Sequence, residues 1–94
     1  MQVIIEKEAL KYLKSLNEKD KQKILDKIKE FTHVIDKQMI IPFKLFDIKE
    51  LHGSWNGFYR IRVGIFRIIF QFNKEEMKLD IYQIHPRGDI YKKK

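Results

Sequence analysis

Fifteen residues constrain this chain more than any others: FYRIRVGIFRIIFQF, Phe58–Phe72. Apolar and polar side chains alternate on either side of Gly64, the period of a strand with one face buried. Gly64-Ile65 suits a two-residue hairpin loop of type II′, which takes glycine first. That turn pairs Val63 with Phe66, Arg62 with Arg67, Ile61 with Ile68 and Arg60 with Ile69. Tyr59, Ile61, Val63, Phe66, Ile68, Phe70 and Phe72 then share the core face. Phe58, Arg60, Arg62, Arg67, Ile69 and Gln71 share the other. A slip of one residue would bury the arginines, so the register is strongly specified.

The rest of the chain supplies a layer to cover the core face. QVIIE, residues 2–6, reads as a short strand. From Lys7 the period becomes helical, with Ala9, Leu10, Leu13 and Leu16. Asn17 breaks the run and is placed to cap a second helix, Asp20 lying three residues on. In that helix Ile24, Leu25, Ile28, Phe31 and Ile35 form one apolar stripe against a charged, solvated face. Pro42 forbids helix, and FKLFDIKEL has room for a short strand. HGSWNG is a loop in which Trp55 reads as a local packing residue rather than a base-stacking platform. MKLDIYQIH, residues 77–85, is a last strand after a turn at 73–76. The expected fold is α+β in the order β-α-α-β-β-β. A helical hairpin packs on one face of a mainly antiparallel sheet, and the other face is open. With 94 residues and no repeat or linker, one domain over 1–94 is expected.

The chain has no cysteine, which removes disulfides and thiolate metal sites. No run of about 18 apolar residues is present to span a membrane. The N-terminus lacks the apolar core of a signal peptide. These features fit a soluble, cytoplasmic protein with no membrane partner. The net charge of +7 favours an anionic partner. Its distribution says more. Residues 1–57 carry eleven basic and nine acidic residues, every basic one a lysine. Residues 58–94 carry nine basic and four acidic, and all four arginines, Arg60, Arg62, Arg67 and Arg87, lie there. Arginine offers a planar fork that binds phosphate bidentately, which lysine lacks. The hairpin itself places no acid on the arginine face, and like charges opposite one another cost up to roughly 1 kcal/mol. An anion held between them removes that cost. In the tail, IHPRGDIYKKK, His85, Arg87 and Tyr91 follow the last strand directly, and Arg87 and Tyr91 reach the same face if the tail folds back. His33, His52 and His85 are single by spacing, and no metal site or glycine-rich phosphate loop is visible. No cofactor is expected.

LHGSWNGFYRIRVGIFRIIFQF followed by IYQIHPRGDIYK resembles the RelE/ParE superfamily of toxins from toxin–antitoxin systems. The likeness is close over residues 51–92, and the β-α-α order before it agrees. Within the superfamily the chain looks most like the RelE branch because of the Arg/Tyr tail. The resemblance implies a helical pair on an antiparallel sheet. It implies a ribosome-dependent endoribonuclease, metal-independent, that cleaves mRNA in the A site and inhibits translation. It also implies a cognate RelB-like antitoxin as partner. The reaction is attack of the 2′-hydroxyl on its own phosphate, giving a 2′,3′-cyclic phosphate. Arg60 and Arg62 stand where RelE toxins grip the mRNA backbone. Arg67 stands where charge on the scissile phosphate is stabilised, Arg87 where the 5′-oxygen departs, and Tyr91 where the cleaved nucleotide is stacked or oriented. Arg62, Arg67, Arg87 and Tyr91 are thus the catalytic candidates. Arg60, Arg62, His85 and Lys92 are the RNA-binding ones. Well-studied RelE toxins carry Lys at the first two positions. Arginine does not give up its proton, so Arg60 and Arg62 are poor general bases. Tyr91, His85, or positioning and electrostatics alone remain as the source of activation. A ParE-type inhibitor of DNA gyrase on the same fold, and a non-catalytic RNA-binding module, are the alternative readings.

Overall fold

The computed structural model describes residues 1–86. Strand β1 is Gln2–Ile5 and helix α1 is Lys7–Ser15. Helix α2 is Glu18–Gln38, followed by β2 at Ile48–Glu50, β3 at Tyr59–Val63, β4 at Phe66–Asn73 and β5 at Lys78–Pro86. The five strands form one sheet in the order β1-β5-β4-β3-β2. Only β1 with β5 is parallel; the other pairs are antiparallel.

The helix boundaries follow from local chemistry. The Asn17 side-chain oxygen accepts the Asp20 backbone N–H at 2.8 Å, satisfying a donor that the first turn of α2 leaves free. At the other end Met39 takes the left-handed conformation, with φ 59°, and its N–H donates to the Ile35 carbonyl at 2.7 Å. Pro42 then prevents further helix. Ile24, Ile28, Phe31 and Ile35 are buried as the stripe predicts, with Leu25 partly buried. In α1 the buried positions are Ala9 and Leu13, supported by Tyr12 and Leu16. Leu10 is exposed. It lies one residue, about 100° of helix, away from Ala9 and so turns off the stripe.

The core fills the space between the helices and the sheet. Phe31 and Ile35 share one core cluster with Ile61, Ile68, Phe70, Leu79 and Ile81, all fully buried. The Phe31 and Phe70 ring centroids are 5.0 Å apart. Each such side chain contributes about 1.5–3 kcal/mol by leaving water.

The far face of the sheet is not wholly open, which corrects the expectation above. Ile69 alternates outward and is fully buried there, under Leu51, Trp55 and Phe58. The loop after β2 folds back over it, closed by the Leu51 N–H to Phe58 carbonyl bond at 2.9 Å and by a 3-10 turn over Gly53–Trp55. An outward isoleucine in a central strand needs such a cover. Trp55 is a packing residue, as the loop reading has it: its ring lies 5.2 Å from Phe58 and 5.7 Å from Tyr82. Tyr82 reaches this cluster through a bulge. Gln83 lies opposite Ile69 and Ile81 opposite Phe70, leaving Tyr82 as the extra residue. Among the described residues, no helix is long and apolar enough to cross a membrane.

Candidate functional site

The β3–β4 hairpin has the register read from the sequence, Arg62 opposite Arg67 included. Gly64 has φ +61° while Ile65 stays out of the positive region, as a type II′ turn requires. This turn fixes where the arginines point. On its outer side Arg62, Gly64, Ile65 and Arg67 line a shallow cup. Arg62 is half exposed. Arg67 is partly buried, and its Nε has no hydrogen-bond partner among the described residues. A guanidinium N–H left in that state is costly until an acceptor reaches it. Two fixed positive charges at the mouth of a cup suit an anion the size of phosphate.

The neighbouring strands extend the row. His85 of β5 lies opposite Arg67. Its ring stacks on Tyr12 of α1, with centroids 6.1 Å apart and planes 12° from parallel. Burial, and secondarily the charge of Asp20, pushes the Tyr12 hydroxyl above its ordinary 10.0. Tyr12 therefore keeps its proton at neutral pH. On the other side, just before β2, the Asp47 carbonyl accepts the Arg62 backbone N–H at 3.0 Å. The register row across the sheet thus runs Asp47, Arg62, Arg67, His85, with the His85 ring set against Tyr12 of α1.

Arg60 departs from the sequence reading. It was expected on the open face beside Arg62, yet it is 5% exposed. Its Nη1 donates to the Asp47 side chain at 3.1 Å and to the Asp47 carbonyl at 3.2 Å. A buried guanidinium cannot discharge itself, so it requires a fixed counter-ion. Asp47 is that counter-ion, and its other oxygen lies 3.7 Å from Arg62. The arginine face is therefore not free of acid. Sequence reasoning missed Asp47 because the hairpin alone was given a register. Its signal was the alternation in FDIKE: pairing Ile48 with Ile61 puts Asp47 on the arginine side. Arg87, Tyr91 and Lys92 lie outside the described residues, directly beyond Pro86 of β5. Among the described residues no three His, Cys, Asp or Glu side chains gather as metal ligands would.

The fold and this row define a small α+β domain with an arginine-lined cup on the outer side of its sheet. No family model matches the chain, and no curated protein does. Solved structures do. The archaeal RelE-RelB complex from Pyrococcus horikoshii OT3 matches with 30% identity over 93% of this chain and 94% of that one, at a TM-score of 0.69. The RelB-RelE antitoxin-toxin complex from Methanococcus jannaschii matches with 25% identity over 95% of each chain, at 0.66. The intact RelBE toxin-antitoxin complex from E. coli shares the fold at 0.69, with 16% identity over 93% of this chain and 96% of that one. The chain belongs to the RelE family of toxins.

Proposed function

We propose that this chain is the toxin of a toxin–antitoxin pair and an endoribonuclease that cuts mRNA in the ribosomal A site. The observation that supports this most is the Arg62–Arg67 pair, two like charges held opposite each other at a cup, with the Arg67 Nε lacking a hydrogen-bond partner among the described residues. In the proposed reaction the ribose 2′-oxygen attacks its own phosphorus and the 5′-oxygen leaves. The products are a 2′,3′-cyclic phosphate and a 5′-hydroxyl. The phosphorane formed on the way carries more negative charge than the diester. Preorganised guanidinium groups therefore stabilise it more than the ground state, and this difference is what accelerates a reaction. Arg67 takes the equatorial charge and Arg62 holds the neighbouring backbone. His85, the register partner of Arg67, is the proposed proton-transfer group among the described residues. Arg87 and Tyr91 complete the proposed catalytic set, and Lys92 contacts RNA. The guanidinium groups meet the charge, so the step needs no metal. A RelB-like antitoxin supplies acidic and apolar residues to the basic face and holds the toxin inactive.

The test is controlled expression with mapping of mRNA 5′ ends, with and without ribosomes. Cuts within codons of translated messages, absent in Arg67→Ala, support the reading. Growth arrest with intact mRNA overturns it and directs the search to DNA replication.

A further inference from the structure

Asp47 lies outside the sequence pattern that identifies the family site, yet it touches two of the three hairpin arginines. Its backbone is tied to β3 through the Arg62 N–H at 3.0 Å. One carboxylate oxygen is fixed by buried Arg60 at 3.1 Å. The other lies 3.7 Å from Arg62, beyond hydrogen-bond length but within reach of a Coulombic contact. The two contacts differ in kind. Arg60 is buried, and its charge is committed to Asp47. Arg62 is half exposed and carries further N–H donors that Asp47 does not engage.

From this asymmetry we infer that Asp47 is a positioning residue, anchored by Arg60, that holds Arg62 on the β2 side of the cup, apart from Arg67, and yields it to a phosphate. Without Asp47, the half-exposed Arg62 guanidinium would turn off the rim of the cup into solvent. With a tight, buried pairing, Arg62 would be unavailable to RNA. A long contact from an anchored carboxylate avoids both outcomes. Arg60 thereby acts on the site only through Asp47, although it sits where a backbone-gripping residue is expected.

The inference rests on the RNA-cleaving reading, so its test has an arm that does not need cleavage. The variants are Asp47→Asn, Arg62→Gln and the double variant, with thermal unfolding recorded for each. Cleavage is measured on ribosome-bound mRNA. Affinity is measured for a short 2′-deoxy-substituted RNA that cannot be cut. Asp47→Asn is expected to slow cleavage about tenfold or more, because misplacement of a positioned group is costly in rate. It is expected to bind the uncleavable strand at least as tightly as wild type, since a competing negative charge is gone. In the Arg62→Gln background both effects disappear. A loss of rate that persists without Arg62, or a parallel loss of affinity, overturns the inference. Should wild type not cleave, the proposed function fails, and affinity alone decides. A change on Asp47→Asn that is equal with and without Arg62 then refutes the positioning role. Should Asp47→Asn not fold, Asp47→Asn with Arg60→Met removes the buried cation together with its counter-ion, and the same comparisons apply.

Discussion

Arg62 of β3 and Arg67 of β4 are direct register partners, held opposite each other by a type II′ turn at Gly64. Nothing in folding favours this pair. It raises the free energy of the isolated domain, and it lowers the free energy of any state in which phosphate lies in the cup. The two statements lead to opposite predictions for stability and for activity.

Arg67→Gln is expected to fold as well as wild type or better, with a gain of up to about 1 kcal/mol from relief of the like-charge pair. The same variant is expected to lose about 10²–10³-fold in mRNA cleavage, the usual effect of removing one donor from a charge-stabilising site. Thermal unfolding and a cleavage assay on the same preparation check both. Lost stability together with lost activity would make Arg67 a structural residue.

Arg60 should behave in the reverse order. Arg60→Ala removes a buried group that fills space and neutralises Asp47, and a cost of about 1–3 kcal/mol is expected, below that of a fully buried pair because Asp47 is half exposed. Chemical denaturation measures it. Arg62→Ala, at a half-exposed position, is expected to shift the midpoint little.

The core prediction concerns Phe31. It is fully buried, with its ring 5.0 Å from Phe70 and 6.3 Å from Phe46. Phe31→Ala should cost about 3–5 kcal/mol, enough to unfold a domain of this size near physiological temperature. At the cap of α2, Asn17→Ala should cost about 1 kcal/mol. Denaturation midpoints of the two variants give the ratio directly.

The Glu6 carboxyl, at the start of α1, is held above its ordinary 4.5, first by a hydrogen bond with Asp80 and then by the charge of Asp80. A carboxyl raised in the folded state favours folding while it is protonated. That contribution is present below 4.5 and disappears as pH rises through the folded-state value. Glu6→Gln should therefore flatten the fall in stability on the alkaline side of that range, and match wild type in acid. Unfolding measured between pH 3 and 7 shows the sign.

The hairpin and α2 were legible in the sequence because each rests on a local rule: alternation about a glycine turn, and an apolar stripe behind an asparagine cap. The Arg62–Arg67 register came from the same rule, as did the family likeness that its motif carries. The places where the reading fell short are those decided by a segment far off in the chain. Ile69 is covered by Leu51 and Trp55, and Arg60 is paired with Asp47, thirteen residues before it. Neither contact has a periodic signature. The bulge at Tyr82 is likewise a property of pairing between β4 and β5, which alternation within β5 alone does not record. Arg87, Tyr91 and Lys92 were named from the tail motif, and the described residues end just before them.

The most direct test of the account uses purified ribosomes carrying a short mRNA whose A-site nucleotide has either a 2′-hydroxyl or a 2′-deoxy sugar. Wild-type protein is predicted to cut the first, leaving a 2′,3′-cyclic phosphate and a 5′-hydroxyl, and to leave the second intact, while Arg67→Gln cuts the first about 10²–10³-fold more slowly. Equal cleavage of both messages, or of neither by wild type, would contradict it.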